Sequence, residues 1–245
     1  LEPHGLQLDR RWMIVDQDGK FLSQRSVPQM ARITVAIRPD SLLLEYTGQD
    51  AAESLEVPMT PPGGAPVTVK VWSDVVQANP YPSASNKVIS QWLGTHCQLV
   101  KLPDPDSRIR THKHILKPFS VSFADGAPVL MANRSTLDEL AKQANRTLDM
   151  SSFRPNIVFG GCAAFAEDGW QRVWTPHVEF GGTWACTRCV MVDVDQKTGT
   201  TKQGIYSALA EVRRRMDPES KVTFGLNLVP SIAGPLRVGD LISAE

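Results

Sequence analysis

Cys186-Thr187-Arg188-Cys189 is the sharpest chemical motif in the chain, and four readings of it are open. Half of a zinc site needs a second ligand pair, yet the remaining cysteines, Cys97 and Cys162, are single and scattered. A dithiol redox centre should follow a strand and open a helix, whereas Val190-Met191-Val192-Asp193-Val194 predicts another strand. Two inert core cysteines are a third possibility. The fourth is a lone thiolate, Cys189, at a strand start, holding a soft metal with the positive charge of Arg188 beside it.

Other residues could join such chemistry. Phe153-Arg154-Pro155-Asn156 precedes the apolar run Ile157-Val158-Phe159. An Arg at a strand mouth, stiffened by Pro and followed by an Asn amide, suits an anionic or heterocyclic ligand; it also suits a plain turn. Ser135-Thr136 predicts a helix start, with Thr136 and Glu139 as a capping box. Free N–H groups there would receive a phosphate, although most capping boxes only cap. Arg10 and Arg11 at a strand entry would face opposite ways, so at most one joins a given site. Glu167-Asp168-Gly169-Trp170 reads as an acidic turn or a general acid, and His112 and His114 as solvated loop residues. No phosphate-binding P-loop, nucleophile elbow, zinc-protease helix or dinucleotide fingerprint is present.

The elements that must position these residues are mostly strands. Arg11–Val15 and Lys20–Leu22 predict a hairpin around Asp16-Gln17-Asp18-Gly19. Ile33–Ile37 and Leu42–Tyr46 flank a turn at Pro39-Asp40, and Val67–Trp72 alternates like a half-buried strand. Further strands are expected at Ile157–Phe159, Val190–Val194, Phe224–Val229 and Leu236–Ile242. Helices are few: Ser85 through Leu93 with Gly94 as the stop, one after Thr136, and one carrying Ile205, Leu209, Val212 and Met216 before Asp217-Pro218. Short strands with isolated helices predict a β-rich α+β, barrel-like architecture rather than a Rossmann-type sheet. The Pro- and Asp-rich stretch from Leu102 divides it into residues 1–104 and 105–245, with the basic segment from Arg108 to Lys117 as a surface connection.

Composition narrows the function classes. The 245 residues carry 26 Lys+Arg against 26 Asp+Glu, so the electrostatic case for a general nucleic-acid or anionic-membrane binder is absent. No apolar run approaches the roughly 18–20 residues of a membrane span. Sparse cysteines and no visible signal peptide lead us to expect a soluble, cytoplasmic protein. The chain begins Leu1-Glu2-Pro3 without Met, which leaves room for residues before it.

Taken in order, these fragments resemble the MOSC superfamily, named for the C-terminal domain of molybdenum cofactor sulfurase. The marks are Gly5-Leu6-Gln7-Leu8-Asp9-Arg10-Arg11-Trp12, Phe123-Ala124-Asp125-Gly126 before Ser135-Thr136-Leu137, and Phe153-Arg154-Pro155-Asn156-Ile157-Val158. Ala166-Glu167-Asp168-Gly169-Trp170, Cys186-Thr187-Arg188-Cys189, Phe224-Gly225-Leu226-Asn227-Leu228 and Arg237-Val238-Gly239-Asp240 complete the series. Each is weak alone and specific as a set. The set is most similar to bacterial YcbX-type proteins and the mitochondrial amidoxime-reducing component.

The resemblance implies a MOSC-type β-barrel with short helices, preceded by a smaller N-terminal β domain. It implies a molybdenum cofactor (Mo-molybdopterin) with Cys189 as the metal's thiolate ligand and catalytic residue. Arg188, Arg154, Pro155 and Asn156 would line the cofactor, Ser135 and Thr136 would hold its phosphate, and Arg10 would reach the pterin side. It implies reduction of small N-oxygenated substrates with electrons from a separate ferredoxin- or flavin-type donor. The alternative it implies is a cofactor or sulfur carrier working with a pyridoxal-phosphate desulfurase, Cys189 then carrying persulfide. Two departures stand out: the family's Lys-Ser motif falls before Leu1, so either the chain is truncated at its start or cofactor affinity is lower, and Ala163 follows Cys162 where some relatives place Asp.

Overall fold

The computed structural model describes residues 1–48, 52–103, 108–201 and 204–245. The chain forms two compact units: Arg10–Arg108 with Val194–Thr201, and Leu1–Asp9 with Ile109–Asp193 and Lys202–Glu245. The sequence-predicted boundary at residues 104–105 lies outside the described residues. Strand makes up 36% and helix 21%, in curled half-barrel sheets, so the architecture is β-rich as expected.

In the first unit, strands β1 (Trp12–Val15), β2 (Ile33–Ile37), β3 (Ser41–Thr47), β4 (Ala52–Pro58), β5 (Val67–Val71) and β6 (Asp74–Pro80) precede helix α1 (Ser83–Leu93) and β7 (Gln98–Lys101). They pair as an antiparallel sheet β1-β7-β6-β5 and a second sheet β2-β3-β4. Alternation works as pattern reading requires: Leu42, Leu44 and Tyr46 of β3 point inward, where α1 adds Ile89, Trp92 and Leu93. Helix α1 starts two residues before Ser85, behind Pro82, with no side-chain cap. It stops at Gly94, whose left-handed conformation (φ 65°) a side chain would strain. Two basic residues, Arg11 at the strand entry and Arg108 of the expected surface connection, are structural. Arg11 is buried and donates to the carbonyls of Leu102 and Pro103. Arg108, 2% exposed, pairs with Asp74 at 2.8 Å.

The second unit contains β8 (Ile109–His112), β9 (Ile115–Ser120), β10 (Val129–Asn133), helix α2 (Arg134–Gln143), β11 (Ile157–Phe159), β12 (Val173–Trp174), β13 (Glu179–Thr187), helix α3 (Ile205–Met216), β14 (Thr223–Ile232) and β15 (Ser243–Ala244). Six of these strands form one sheet in the order β11-β10-β14-β13-β12-β15, and β8-β9 is a separate hairpin. Helix α2 returns the chain so that β11 lies parallel to β10, the connection such a pairing needs. Leu137, Leu140, Leu209 and Val212 of the helices pack with Phe153 and Phe224, while Val129, Met131, Phe180, Leu226 and Leu228 form another core.

Three expectations fail here. Val190–Asp193 is a single 3₁₀ turn, because Val192 N–H bonds back to the Cys189 carbonyl and Val192 enters the helix-side core. Leu236–Ile242 is not a strand: Val238 and Leu241 are exposed, and only Ser243–Ala244 pairs, with β12. His112 is not a solvated loop residue but ends β8 with its ring stacked on Trp184.

Candidate active site

Register across the second unit's sheet explains how motifs far apart in sequence reach one place. Met131 pairs with Ile157 on one side and Leu226 on the other, and Leu226 pairs with Ala185. This row crosses four strands. β10 and β13 are each antiparallel to β14, so they run the same way and end at the same side of the sheet. One strand intervenes, giving a spacing of about 10 Å. Beyond these carboxyl ends come Arg134-Ser135-Thr136 after β10, Gly160–Phe165 after β11, and Arg188-Cys189 after β13.

The Cys186–Cys189 turn is organised by the Arg188 guanidinium. Nη1 donates to Cys186 Sγ at 3.2 Å, and Nη2 donates to the Phe153 carbonyl at 2.8 Å. The guanidinium carbon stands 5.7 Å from the Phe153 ring centroid, and that ring stacks on Phe224 at 3.8 Å. Phe153 is fully buried, so Arg188 is fixed from a rigid base immediately before Arg154. Its Nε is a buried nitrogen with no hydrogen-bond partner among the described residues. A donor so placed is costly unless a water or a ligand oxygen meets it.

Cys186 is half-buried and Cys189 exposed, so neither is an inert core cysteine. The zinc reading finds no group of three or more His, Cys, Asp or Glu side chains among the described residues. The Arg188 guanidinium hydrogen-bonds to Cys186 Sγ.

The start of α2 is a second polar cluster. Its cap is Asn133, whose Oδ1 accepts from Ser135 N–H; the expected capping box at Thr136 does not form, because Thr136 already lies within the first turn. Thr136 is completely buried. Its hydroxyl donates to the Glu167 carboxylate at 2.8 Å and accepts from Phe165 N–H at 2.7 Å. Asn133 Nδ2 donates to Glu167 and the Ala163 carbonyl, each at 2.9 Å, and lies 3.4 Å from Cys162 Sγ. Burial, with the Glu167 charge second, pushes the Cys162 thiol up, against the lowering effect of Asn133. Ser135 is half-buried beside this cluster.

The remaining predicted residues divide. Arg154 is exposed and left-handed (φ 52°), directly after the carbonyl that binds Arg188, and Pro155 leads into β11. Asn156 faces elsewhere: Oδ1 accepts from Leu130 N–H, and Nδ2 donates to Asp9 at 2.9 Å. Arg10 belongs to the first unit, half-buried with φ 51° rather than on a strand. Direct bonds thus join Cys186, Arg188 and the chain at Phe153–Arg154, Ser135 stands at the same sheet end, and Thr136 and Asn156 are tied into the protein itself.

Sequence reading missed Asn133, Glu167 and Phe153 as organising residues. Asn just before a helix-starting Arg134 was an available cap signal, and Phe153 was an unremarked part of the Arg154 motif. Nothing local marks Glu167 as buried. Its neighbour Asp168 points the other way, to an ion pair with Arg213, which is 3% exposed.

Comparison with known proteins accounts for most of the chain. The model of the MOSC domain matches residues 118–243, and that of the MOSC N-terminal beta barrel domain matches residues 1–96. Mitochondrial amidoxime-reducing component 1 of Mus musculus is 28% identical over 251 residues, covering 97% of this chain and 72% of that protein. Mitochondrial amidoxime reducing component 2 of Rattus norvegicus is 26% identical, covering 95% and 72%. Molybdenum cofactor sulfurase of Danio rerio is 29% identical, covering 93% of this chain but 29% of its own length. The β-rich fold agrees with these matches, and the chain belongs to the MOSC family.

Proposed function

We propose that this chain binds a molybdenum cofactor through Cys189 and reduces small N-oxygenated molecules with electrons from a separate ferredoxin- or flavin-type donor. The observation that carries this reading is the Cys186–Cys189 turn with its unmatched Arg188 Nε–H. A buried donor, an exposed thiol at Cys189 and a positively charged Arg154 one residue from the Arg188 anchor form a set suited to an anionic, metal-bearing ligand. Two amidoxime-reducing relatives, matched over nearly the whole chain, support the substrate class.

When bound, the cofactor supplies the two-electron chemistry of oxygen-atom removal. The protein's share is binding and orientation. Cys189 would supply the sulfur ligand, Arg188 an N–H on the cofactor's polar edge, and Arg154 charge neutralisation. Ser135 would offer its hydroxyl to the phosphate. Thr136 would act by holding the helix start, since its O–H is committed to Glu167. Asn156 and Pro155 would set the path of the Arg154 loop, and Arg10 enters through the family resemblance.

A second reading, a carrier of cofactor or sulfur served by a pyridoxal-phosphate desulfurase, is favoured by the exposure of Cys189 together with the sulfurase relative. The experiment is a pair of assays on protein from a cofactor-competent host. Oxidation of reduced viologen dye by an N-hydroxylated amidine, lost in Cys189→Ser, supports the reductase. Sulfur transfer from a desulfurase onto Cys189 without dye oxidation supports the carrier and overturns the reductase.

A further inference from the structure

The two histidines that the site leaves unused sit at the tip of the β8–β9 hairpin, which joins β8 and β9 through Lys113-His114. Two contacts dock that tip onto β13. The His112 ring stacks on Trp184 with centroids 4.0 Å apart and planes 17° from parallel. Ile115 reaches over Gly182, where a Cβ would stand 1.9 Å from its Cδ1. The notch exists because position 182 lacks a side chain. Phe119, 6.0 Å from the Trp184 centroid, continues the contact at the base of the hairpin.

Gly182, Trp184 and Cys186 follow one another at the two-residue spacing of a single strand face. The register shift near Cys186 does not break that alternation. Between the Ala185–Leu226 and Thr187–Thr223 pairs, β13 advances two residues and β14 three, so the extra residue lies in β14. The tip therefore covers the face of β13 that leads directly to the Arg188-bound sulfur. Leu116, at the outer side of the hairpin, is fully exposed.

We propose that the β8–β9 hairpin is a flap over the approach to Cys186, closed by the His112–Trp184 stack and released when His112 takes up a proton. The charges at the tip are alike. His114, with its ring 5.3 Å from that of His112, and Lys113 both face His112 from its own hairpin. From β13 the stack receives only an indole; Glu179 lies five residues back, paired with Arg172, and Cys186 lies two residues on, bonded to Arg188. Burial first, then the His114 and Lys113 charges, push His112 below the ordinary imidazole value. The docked tip thus favours neutral His112. Closure is fully present above about pH 6.5, the free imidazole value, and weakens as pH falls towards the lowered value of the docked ring. An imidazolium on an indole face recovers part of the attraction, so the loss of closure on protonation is partial.

The inference stands apart from the cofactor reading and is tested on the protein as it is. Hydrogen exchange of peptides within residues 109–120 is followed from pH 8 to 5.5 and corrected for intrinsic exchange. Protection should fall about threefold or more on acidification, with residues of α1 unaffected. His112→Phe keeps a stacking ring without a proton and should give a flat profile. Protection that is constant, that rises on acidification, or that changes equally in His112→Phe overturns the proton release. At fixed pH 7, Gly182→Ala displaces Ile115 and should raise alkylation of Cys186 several-fold, read by peptide mass spectrometry. An unchanged rate overturns the flap.

Discussion

The start of α2 and the Cys186–Cys189 turn occupy the same end of one sheet, yet differ in how their polar groups are satisfied. Around α2, the Asn133 amide, the Thr136 hydroxyl and the Glu167 carboxylate bond to one another and to backbone, all of them buried. Around Arg188, two guanidinium nitrogens are engaged and the third is buried without a partner. A closed network rigidifies a frame; an incomplete one retains free energy that an added ligand can recover. On the proposed function, the α2 cluster serves as support and the cysteine turn as the binding element.

Substitutions should separate the two. Glu167→Ala strands the Asn133 and Thr136 donors in a buried setting, and should lower unfolding free energy by about 2–4 kcal/mol in urea titration. Glu167→Gln keeps shape and part of the bonding and should cost about 1 kcal/mol. A loss as small in Glu167→Ala as in a surface variant would break the comparison from the structural side. Arg188→Ala removes the bond to Phe153 and should cost about 1–2 kcal/mol in the same titration. Its loss of affinity for a pterin phosphate should be larger, about tenfold or more by calorimetry, and Arg188→Lys should not restore it because the forked N–H geometry is gone.

Alkaline pH gives a smaller effect. Burial raises the Cys97 and Cys162 thiols and the Tyr81 hydroxyl in the folded protein. Groups raised on folding stabilise the protein while protonated in both states, so stability should hold below about pH 8.5 and decline as pH rises towards their folded values. Urea midpoints from pH 7 to 10 measure this decline, and Cys97→Ala should flatten it. The smallest effect concerns Cys189→Ser. The side chain is exposed, so stability should change by less than about 0.5 kcal/mol, with the midpoint as the check.

Much of this frame is legible in the chain because local patterns coincide with tertiary roles. The alternation of Leu42, Leu44 and Tyr46, the periodicity of Ile205, Leu209 and Val212, and the Gly94 stop each point one way and fold that way. Val190–Asp193 misleads because β-branched residues are also accepted in a short turn when one of them, Val192, finds a core. Thr136 misleads by one helical position: Asn133 is the better-placed cap, which moves Thr136 inward onto Glu167. Arg11, Arg108 and Arg213 are strongly buried against partners distant in sequence, and no local pattern announces such pairing. The sulfur contact of Arg188 likewise depends on a turn that bends the side chain back to Cys186.

Metal stoichiometry tests the central claim most directly. Protein produced in a molybdenum-cofactor-competent host and analysed by elemental mass spectrometry should carry molybdenum approaching one atom per chain. Cys189→Ser should abolish it, while Cys186→Ser and Cys162→Ser should retain most of it. Molybdenum equal in Cys189→Ser and the unmodified chain, or absent from both, would contradict the account.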